Sequence, residues 1–181
     1  VMVRPASCFN EEQDSDELGI DCGGSCGACT GGTCREASEC NSGVCAEGRC
    51  VERPIITGIT PNEGAVGTFV TVSGENFGQS TGVVTFTGGV QARVPARCAE
   101  VSDGWTPNSV IVEVPTGAQT GPITLKIASS SLTDVSNDST GPDAGVFTLS
   151  NATHPGICAV NPETGAIGSV VRVIGAGFGS Q

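Results

Sequence analysis

Residues 54 to 78, PIITGITPNEGAVGTFVTVSGENFG, return from residue 155 to 179 as PGICAVNPETGAIGSVVRVIGAGFG, at a constant offset of 101 residues. Pro61 matches Pro162, Gly64 matches Gly165, Gly67 matches Gly168 and Gly74 matches Gly175. Val70, Val72 and Phe77 match Val171, Val173 and Phe178. A gapless recurrence at that period constrains the fold more than any other feature, because it implies tandem copies of one small domain. The second copy reaches Gln181 two residues after its Phe-Gly. A piece of about 25 residues does not bury a core of its own, so the expectation is an incomplete second domain over 154–181.

The composition supports an all-β reading. The 181 residues hold 27 Gly, 10 Pro and 10 Cys against one Met, one Trp and no Tyr, and β-branched residues dominate the apolar set. Lys and Arg total 8 against 19 Asp and Glu, a formal charge of -11. That balance excludes nucleic acid and anionic membrane surfaces as expected partners, since both require a positive face. No run of 18 apolar residues occurs, so no membrane-spanning segment is expected. A secreted chain is expected to have carried a signal peptide, and none is visible, so Val1 is read as not the original start.

Eight of the ten cysteines, Cys8, Cys22, Cys26, Cys29, Cys34, Cys40, Cys45 and Cys50, fall in residues 1–53. From Ser7 to Val51 the large apolar residues are Phe9, Leu18 and Ile20, with Val44 and Val51 as smaller additions. So little apolar surface does not offset chain entropy, and covalent links are expected to hold the module. Four bridges at about 2–4 kcal/mol each would suffice; the eight residues allow 105 pairings and the sequence does not choose among them. Cys26-Gly-Ala-Cys29 has the gap of a redox dithiol or half a zinc site. The first would want a thioredoxin-like strand and helix, and the second histidines, of which His154 is the chain's one example. Structural disulfides are therefore the expectation, and with them an oxidising, extracellular setting.

Asn10, Glu12, Asp14, Asp16, Glu17 and Asp21 lie between the first two cysteines. They could supply hard oxygen ligands to calcium, although the spacing fails the EF-hand pattern. The plainer reading is a solvated loop whose Asp and Asn side chains cap turns. The order Cys8-x-Asn10, Asp14-x-Asp16-Glu17, Asp21-Cys22-Gly23-Gly24 and the cysteines to Cys50 resembles a small cysteine-rich module of secreted and surface proteins of bacteria. This chain departs from it in carrying Glu11 where glycine is usual. The resemblance implies an extracellular spacer or binding module and brings no activity with it.

Beyond a junction at Val51 to Pro54, alternation predicts short strands over 55–60, 69–73, 83–87, 109–114, 122–128 and 145–150, with irregular stretches up to Gly104 and from Ser129 to Asp143. The two copies set the register of the second strand. Thr71 becomes Arg172 while positions 70 and 72 stay apolar, so 70 and 72 face the core and 71 faces water. Six or seven strands in about 100 residues make a two-sheet sandwich. Pro61-x-x-Gly64-x-x-Gly67-Thr68 followed by Val70-x-Val72-x-Gly74-x-x-Phe77-Gly78, with WTPNSVIVEVPTGAQTGPITLKI from Trp105 to Ile127, resembles the IPT/TIG family of immunoglobulin-like domains. The resemblance implies an immunoglobulin-like β-sandwich over 54–153 and the start of another over 154–181. The chain departs from the usual family length in the Ser129 to Asp143 loop, and in its cysteine pair.

That pair is Cys98 and Cys158. Cys158 stands where Thr57 stands in the earlier copy. With the other eight cysteines able to pair among themselves, a Cys98–Cys158 bridge is expected, closing a 60-residue loop at about 4 kcal/mol of chain entropy and making a rigid stalk. Trp105 is read as a buried edge residue, or as an exposed stacking platform for a sugar ring. Asn137-Asp-Ser139 and Asn151-Ala-Thr153 match the N-glycosylation acceptor pattern, and chance occurrence is preferred for both. His154 is read as a surface residue. No hydrolase, zinc-protease or phosphate-loop motif occurs, so no catalysis is expected. The function expected is an extracellular structural or adhesive protein, its domains stacked into a surface stalk, fibre or appendage with partners among copies of itself, other surface proteins or glycans. The alternative is a carbohydrate- or protein-binding accessory module of a larger secreted enzyme or receptor.

Overall fold

The computed structural model describes residues 5–102, 104–128, 130, 132–137 and 144–179. It divides into two units, Val1–Arg53 and Pro54–Gln181. Among the described residues of the first, regular structure is confined to single 3₁₀ turns at Ala6–Phe9, Gly24–Cys26 and Ala37–Glu39 and a two-stranded ribbon, β1 (Cys45–Ala46) and β2 (Arg49–Cys50). Disulfides join Cys8 to Cys26, Cys22 to Cys29, Cys34 to Cys45 and Cys40 to Cys50. They stand in for an apolar core: Cys34, Cys40 and Cys50 form the buried cluster, while Phe9, Leu18 and Ile20 all face solvent.

The second unit opens with β3 (Ile55–Thr60), β4 (Glu63–Gly64) and β5 (Phe69–Glu75). Next come β6 (Val83–Phe86), β7 (Val90–Gln91) and helix α1 (Ala96–Ser102). The sandwich is completed by β8 (Ser109–Glu113), β9 (Ile123–Lys126), β10 (Thr133–Val135) and β11 (Thr148–Leu149). One sheet runs β3-β5-β8 and the other β10-β9-β6-β7. A short parallel pair, β4 with β11, brings Glu63–Gly64 beside Thr148–Leu149. Strand alternation dictates the core: Val70 and Val72 from one sheet and Val84, Phe86, Ile123 and Leu125 from the other are all buried, together with Phe77 and Phe147. Each buried phenylalanine contributes about 2–3 kcal/mol of transfer free energy, and Phe86 meets Phe147 edge to face at 5.2 Å.

Two elements depart from the sequence pattern. The stretch before Gly104 holds α1, entered through Pro95, whose carbonyl accepts from the amides of Cys98 and Ala99. Seven residues are too few to carry a helical period. The polar stretch after Ser129 contains β10, which pairs with β9 through Asp134 opposite Leu125; the rest of that loop lies outside the described residues except Ser130, Leu132, Ser136 and Asn137. Among the described residues no helix is long and apolar enough to cross a membrane.

Residues 156–176 repeat the opening hairpin. β12 (Gly156–Asn161) pairs antiparallel with β13 (Arg172–Ala176). Ile157 lies opposite Gly175 and Val160 opposite Val173, as Ile56 lies opposite Gly74 and Ile59 opposite Val72. Even the register shift recurs, between Ile56 and Gly58 in one hairpin and Ile157 and Ala159 in the other. A β-carbon on Gly74 would meet the Ile55 carbonyl and the Phe77 ring, and one on Gly175 would meet the Gly156 carbonyl and the Phe178 ring. The glycines are thus required by space at the same two points.

Candidate functional site

In the cysteine-rich unit the acidic loop is held by its own carboxylates. Asp21 accepts the amide of Asn10 on Oδ1 at 3.0 Å and that of Glu11 on Oδ2 at 3.1 Å. Glu17, buried to 7% exposure, accepts the amides of Asp14 and Asp21 on Oε2 at 3.2 and 3.1 Å. Asp14 accepts from the Asn10 side-chain amide at 3.0 Å, and the Asn10 side-chain oxygen accepts from the Glu12 amide at 3.0 Å. The Ser25 hydroxyl donates to Asp16 Oδ2 at 2.8 Å, and this bond, with the backbone amides of Asp16 and Ser25, holds the Asp16 carboxyl below the usual carboxylate range. No three carboxylates of this loop bring ligand atoms within 4.8 Å of one another. Of the six residues named as possible calcium ligands, Asn10, Asp14, Asp16, Glu17 and Asp21 thus accept hydrogen bonds through their side chains within the loop, as the turn-capping reading expects.

Two other groupings, Cys34 with Cys40 and Cys50, and Cys8 with Glu17 and Cys26, have the compactness of a metal site. Their sulfurs are disulfide sulfurs and present no thiolate to a metal.

Trp105 is 6% exposed. Its indole N–H donates to the Phe77 carbonyl at 3.2 Å, and its ring is tilted against Phe77 with centroids 6.3 Å apart. At that burial the ring is part of the core cluster, and the surface that the stacking reading would use is not exposed. A concavity of about 370 Å³ lies elsewhere on the sandwich, lined by Val66, Val90, Gln91, Arg93, Glu113 and Thr116 among others. Arg93 and Glu113 face each other there across an isolated β-bridge. A second recess of about 440 Å³, beside Ala65, Val66 and Asn151, shares Val66 with it. Asn151 and Thr153 are exposed, while Asp138 and Ser139 of the other acceptor sequence lie outside the described residues. His154 is half-buried, and its Nε2 is enclosed without a hydrogen-bond partner.

The densest chemistry lies where the sandwich meets the second hairpin. Cys98 on α1 is bonded to Cys158 on β12, with Cα atoms 4.8 Å apart and a sequence separation of 60. Cys98 is fully buried and Cys158 nearly so. One residue away, Arg97 Nη1 donates to the Gly175 carbonyl on β13 at 3.2 Å. Gly156 has no side chain because there is no room for one: a β-carbon would lie 2.5 Å from the side chain of Phe69. Covalent bond, charged hydrogen bond and close backbone approach thus converge on one junction. Of these the sequence offered only the cysteines; Arg97 carries no signal of its own, and Gly156 replaces Ile55 without explanation until Phe69 is seen beside it.

Comparison with known proteins places this architecture. No curated protein sequence matches the chain. Among solved structures, an auxiliary nutrient binding protein from Bacteroides thetaiotaomicron VPI-5482 is similar at 24% identity and a TM-score of 0.42, over 59% of this chain and 22% of that one. Gamma-CGTase from Alkalophilic bacillus clarkii is similar at 21% identity and a TM-score of 0.40, over 54% and 12%. An auxiliary nutrient binding protein from Bacteroides ovatus ATCC 8483 is similar at 23% identity and a TM-score of 0.39, over 55% and 21%. The chain spans less than a quarter of the length of each of these three. The model of the IPT/TIG domain matches residues 54–148, and no second match to it is found over the repeated hairpin. Since that match takes in more than half of the 181 residues, the chain belongs to the IPT/TIG domain family, with one such domain preceded by a disulfide-bonded, cysteine-rich stretch.

Proposed function

We propose that the chain is a non-catalytic accessory part of a larger extracellular protein, in which the IPT/TIG sandwich is a rigid connector and residues 154–181 open a second sandwich of the same family. The observation that carries this reading is the Cys98–Cys158 junction. A flexible linker between domains needs no buried disulfide, and a disulfide across two packed elements removes the hinge that short linkers otherwise provide. Five disulfides and no free cysteine among the described residues suit an oxidising compartment. The concavity lined by Val66, Arg93 and Glu113 is the surface such an accessory module would offer to a polar ligand. The second hairpin belongs to a further sandwich because it repeats the register, the bulge and the two space-limited glycines of the first.

A uniform self-assembling stalk is the second reading, and the rigidity of the junction favours it. Against it stands the asymmetry of the clamp: the first copy has Thr57 where the second has Cys158, so the junction is particular to this pair of copies. Limited proteolysis tests the connector. The Ser150–Pro155 segment is expected to resist cleavage in the oxidised chain and to be cut at least about tenfold faster in the C98S/C158S double variant. Equal cleavage rates would remove the basis for a rigid connector.

A further inference from the structure

The three large apolar side chains between Ser7 and Val51 all face water. Phe9 is 71% exposed, Leu18 84% and Ile20 62%, whereas Val44 of the same unit is buried. The bonds Cys8–Cys26 and Cys22–Cys29 close one lobe that carries all three. Exposed apolar residues are ordinary one at a time. Three on so small a lobe present on the order of a few hundred Å², the range in which a patch marks an interaction surface.

Local structure does not require them there. Ile20 sits at the tip of the turn Gly19–Cys22, where the Cys22 amide donates to the Gly19 carbonyl at 3.1 Å. Turn tips favour Gly, Asn, Asp and Ser, and an isoleucine gains nothing from the position. Nor are the three loosely held. The Leu18 amide donates to the Cys22 carbonyl at 3.0 Å, and a β-carbon on Gly23 would lie 2.8 Å from Leu18 Cβ. Asp21 accepts the amides of Asn10 and Glu11, which ties the chain after Phe9 to the turn that carries Ile20. A braced frame of this kind lowers the ordering cost of binding.

Charge selects the occupant. From Pro5 to Cys34 the sequence holds Glu11, Glu12, Asp14, Asp16, Glu17 and Asp21 and no Lys, Arg or His. Glu11, Glu12 and Asp16 are exposed. A second copy would set like charges against these, on a chain that carries -11 overall, and an anionic lipid surface is disfavoured for the same reason. The complement is an apolar face with a cationic rim.

We propose that the Cys8–Cys29 lobe is a docking module. Phe9, Leu18 and Ile20 pack on an apolar face of a different polypeptide, whose Lys and Arg rim meets Glu11, Glu12 and Asp16. This goes beyond the connector role and does not depend on the second sandwich.

The probe is a labelled amphipathic helical peptide of Leu and Lys, added to the full disulfide-bonded chain. It is compared with a peptide carrying Glu for Lys and with one carrying Ser for Leu. Fluorescence anisotropy reads affinity, and amide shifts of the ¹⁵N-labelled chain read position. The Leu/Lys peptide is expected to bind at least about tenfold tighter than either comparison peptide, with shifts centred on residues 9–23. Leu18→Ser with Ile20→Ser is expected to weaken it at least about tenfold, and Phe9→Ser separately by a similar factor. Absence of free thiols in each variant verifies that the lobe has kept its bonds. Equal binding of the Ser/Lys peptide would reduce the lobe to an acidic patch and overturn the apolar contact. Equal binding of the Leu/Glu peptide would overturn the charge selection. Unchanged affinity in the serine variants, or shifts centred elsewhere, would overturn the docking module. Self-association of the chain that these variants abolish, or binding to phosphatidylserine vesicles, would overturn the assignment to a different polypeptide.

Discussion

The carboxylate of Asp134 on β10 accepts the backbone amide of Ile56 on β3 at 2.7 Å, across 78 positions of sequence. This bond stitches the edge of one sheet to the edge of the other, next to the register shift that leaves β3 irregular at Ile56. Asp134 is 7% exposed, so removing it leaves a buried donor unsatisfied. Asp134→Ala is expected to cost about 2–3 kcal/mol, read as a lower midpoint in urea denaturation. A loss below about 0.5 kcal/mol would mean that the stitch is not structural.

Gly74 is enclosed by the Ile55 carbonyl and the Phe77 ring, and its replacement has no flexible neighbour to displace on the carbonyl side. Gly74→Ala is expected to destabilise the sandwich by about 3 kcal/mol or more. Gly89, with open space around its α-carbon but a φ of 75°, is expected to lose only about 1 kcal/mol on the same change. Thermal unfolding of the two variants separates packing from backbone conformation.

The extent to which these features are legible in the sequence follows a physical divide. The opening hairpin could be read because it is present twice: positions 70 and 72 stay apolar while 71 changes to arginine, and the structure buries Val70 and Val72. Helix α1 could not, since seven residues give no period and its purpose is to hold Cys98 and Arg97 against strands that lie far along the chain. β10 was hidden by its aspartate, a residue whose burial makes sense only once the Ile56 amide is beside it. The acidic loop stayed open between two readings for the same reason. A carboxylate awaiting calcium and a carboxylate capping a backbone amide have one spelling, and Asp21 and Glu17 turn out to face amides.

The Asp16–Ser25 bond makes that loop sensitive to acid. Because the folded carboxyl titrates below its ordinary value, its stabilising contribution is present above the unfolded value and is lost as pH falls through the folded one. Acidification into that range is expected to speed amide exchange around Ser25. The Ser25→Ala variant is expected to move the Asp16 titration upward, toward an ordinary carboxylate, in NMR-detected carboxyl shifts. No movement would show that the hydroxyl is not the cause.

Trp105 offers a direct optical check on the core. Its enclosed indole, donating to the Phe77 carbonyl, is expected to emit with a blue-shifted maximum and to resist quenching by iodide. Trp105→Phe removes that hydrogen bond and some packing, and is expected to cost about 1–3 kcal/mol. Free access of iodide to the indole would contradict the burial described here.

The locked junction is tested most directly by ¹⁵N relaxation of backbone amides. With Cys98 bonded to Cys158 and Arg97 on Gly175, strands β3 to β9 and the β12–β13 hairpin are expected to tumble with one correlation time. In the C98S/C158S double variant the hairpin is expected to acquire independent nanosecond motion. Independent hairpin motion in the oxidised wild-type chain would contradict the rigid connector.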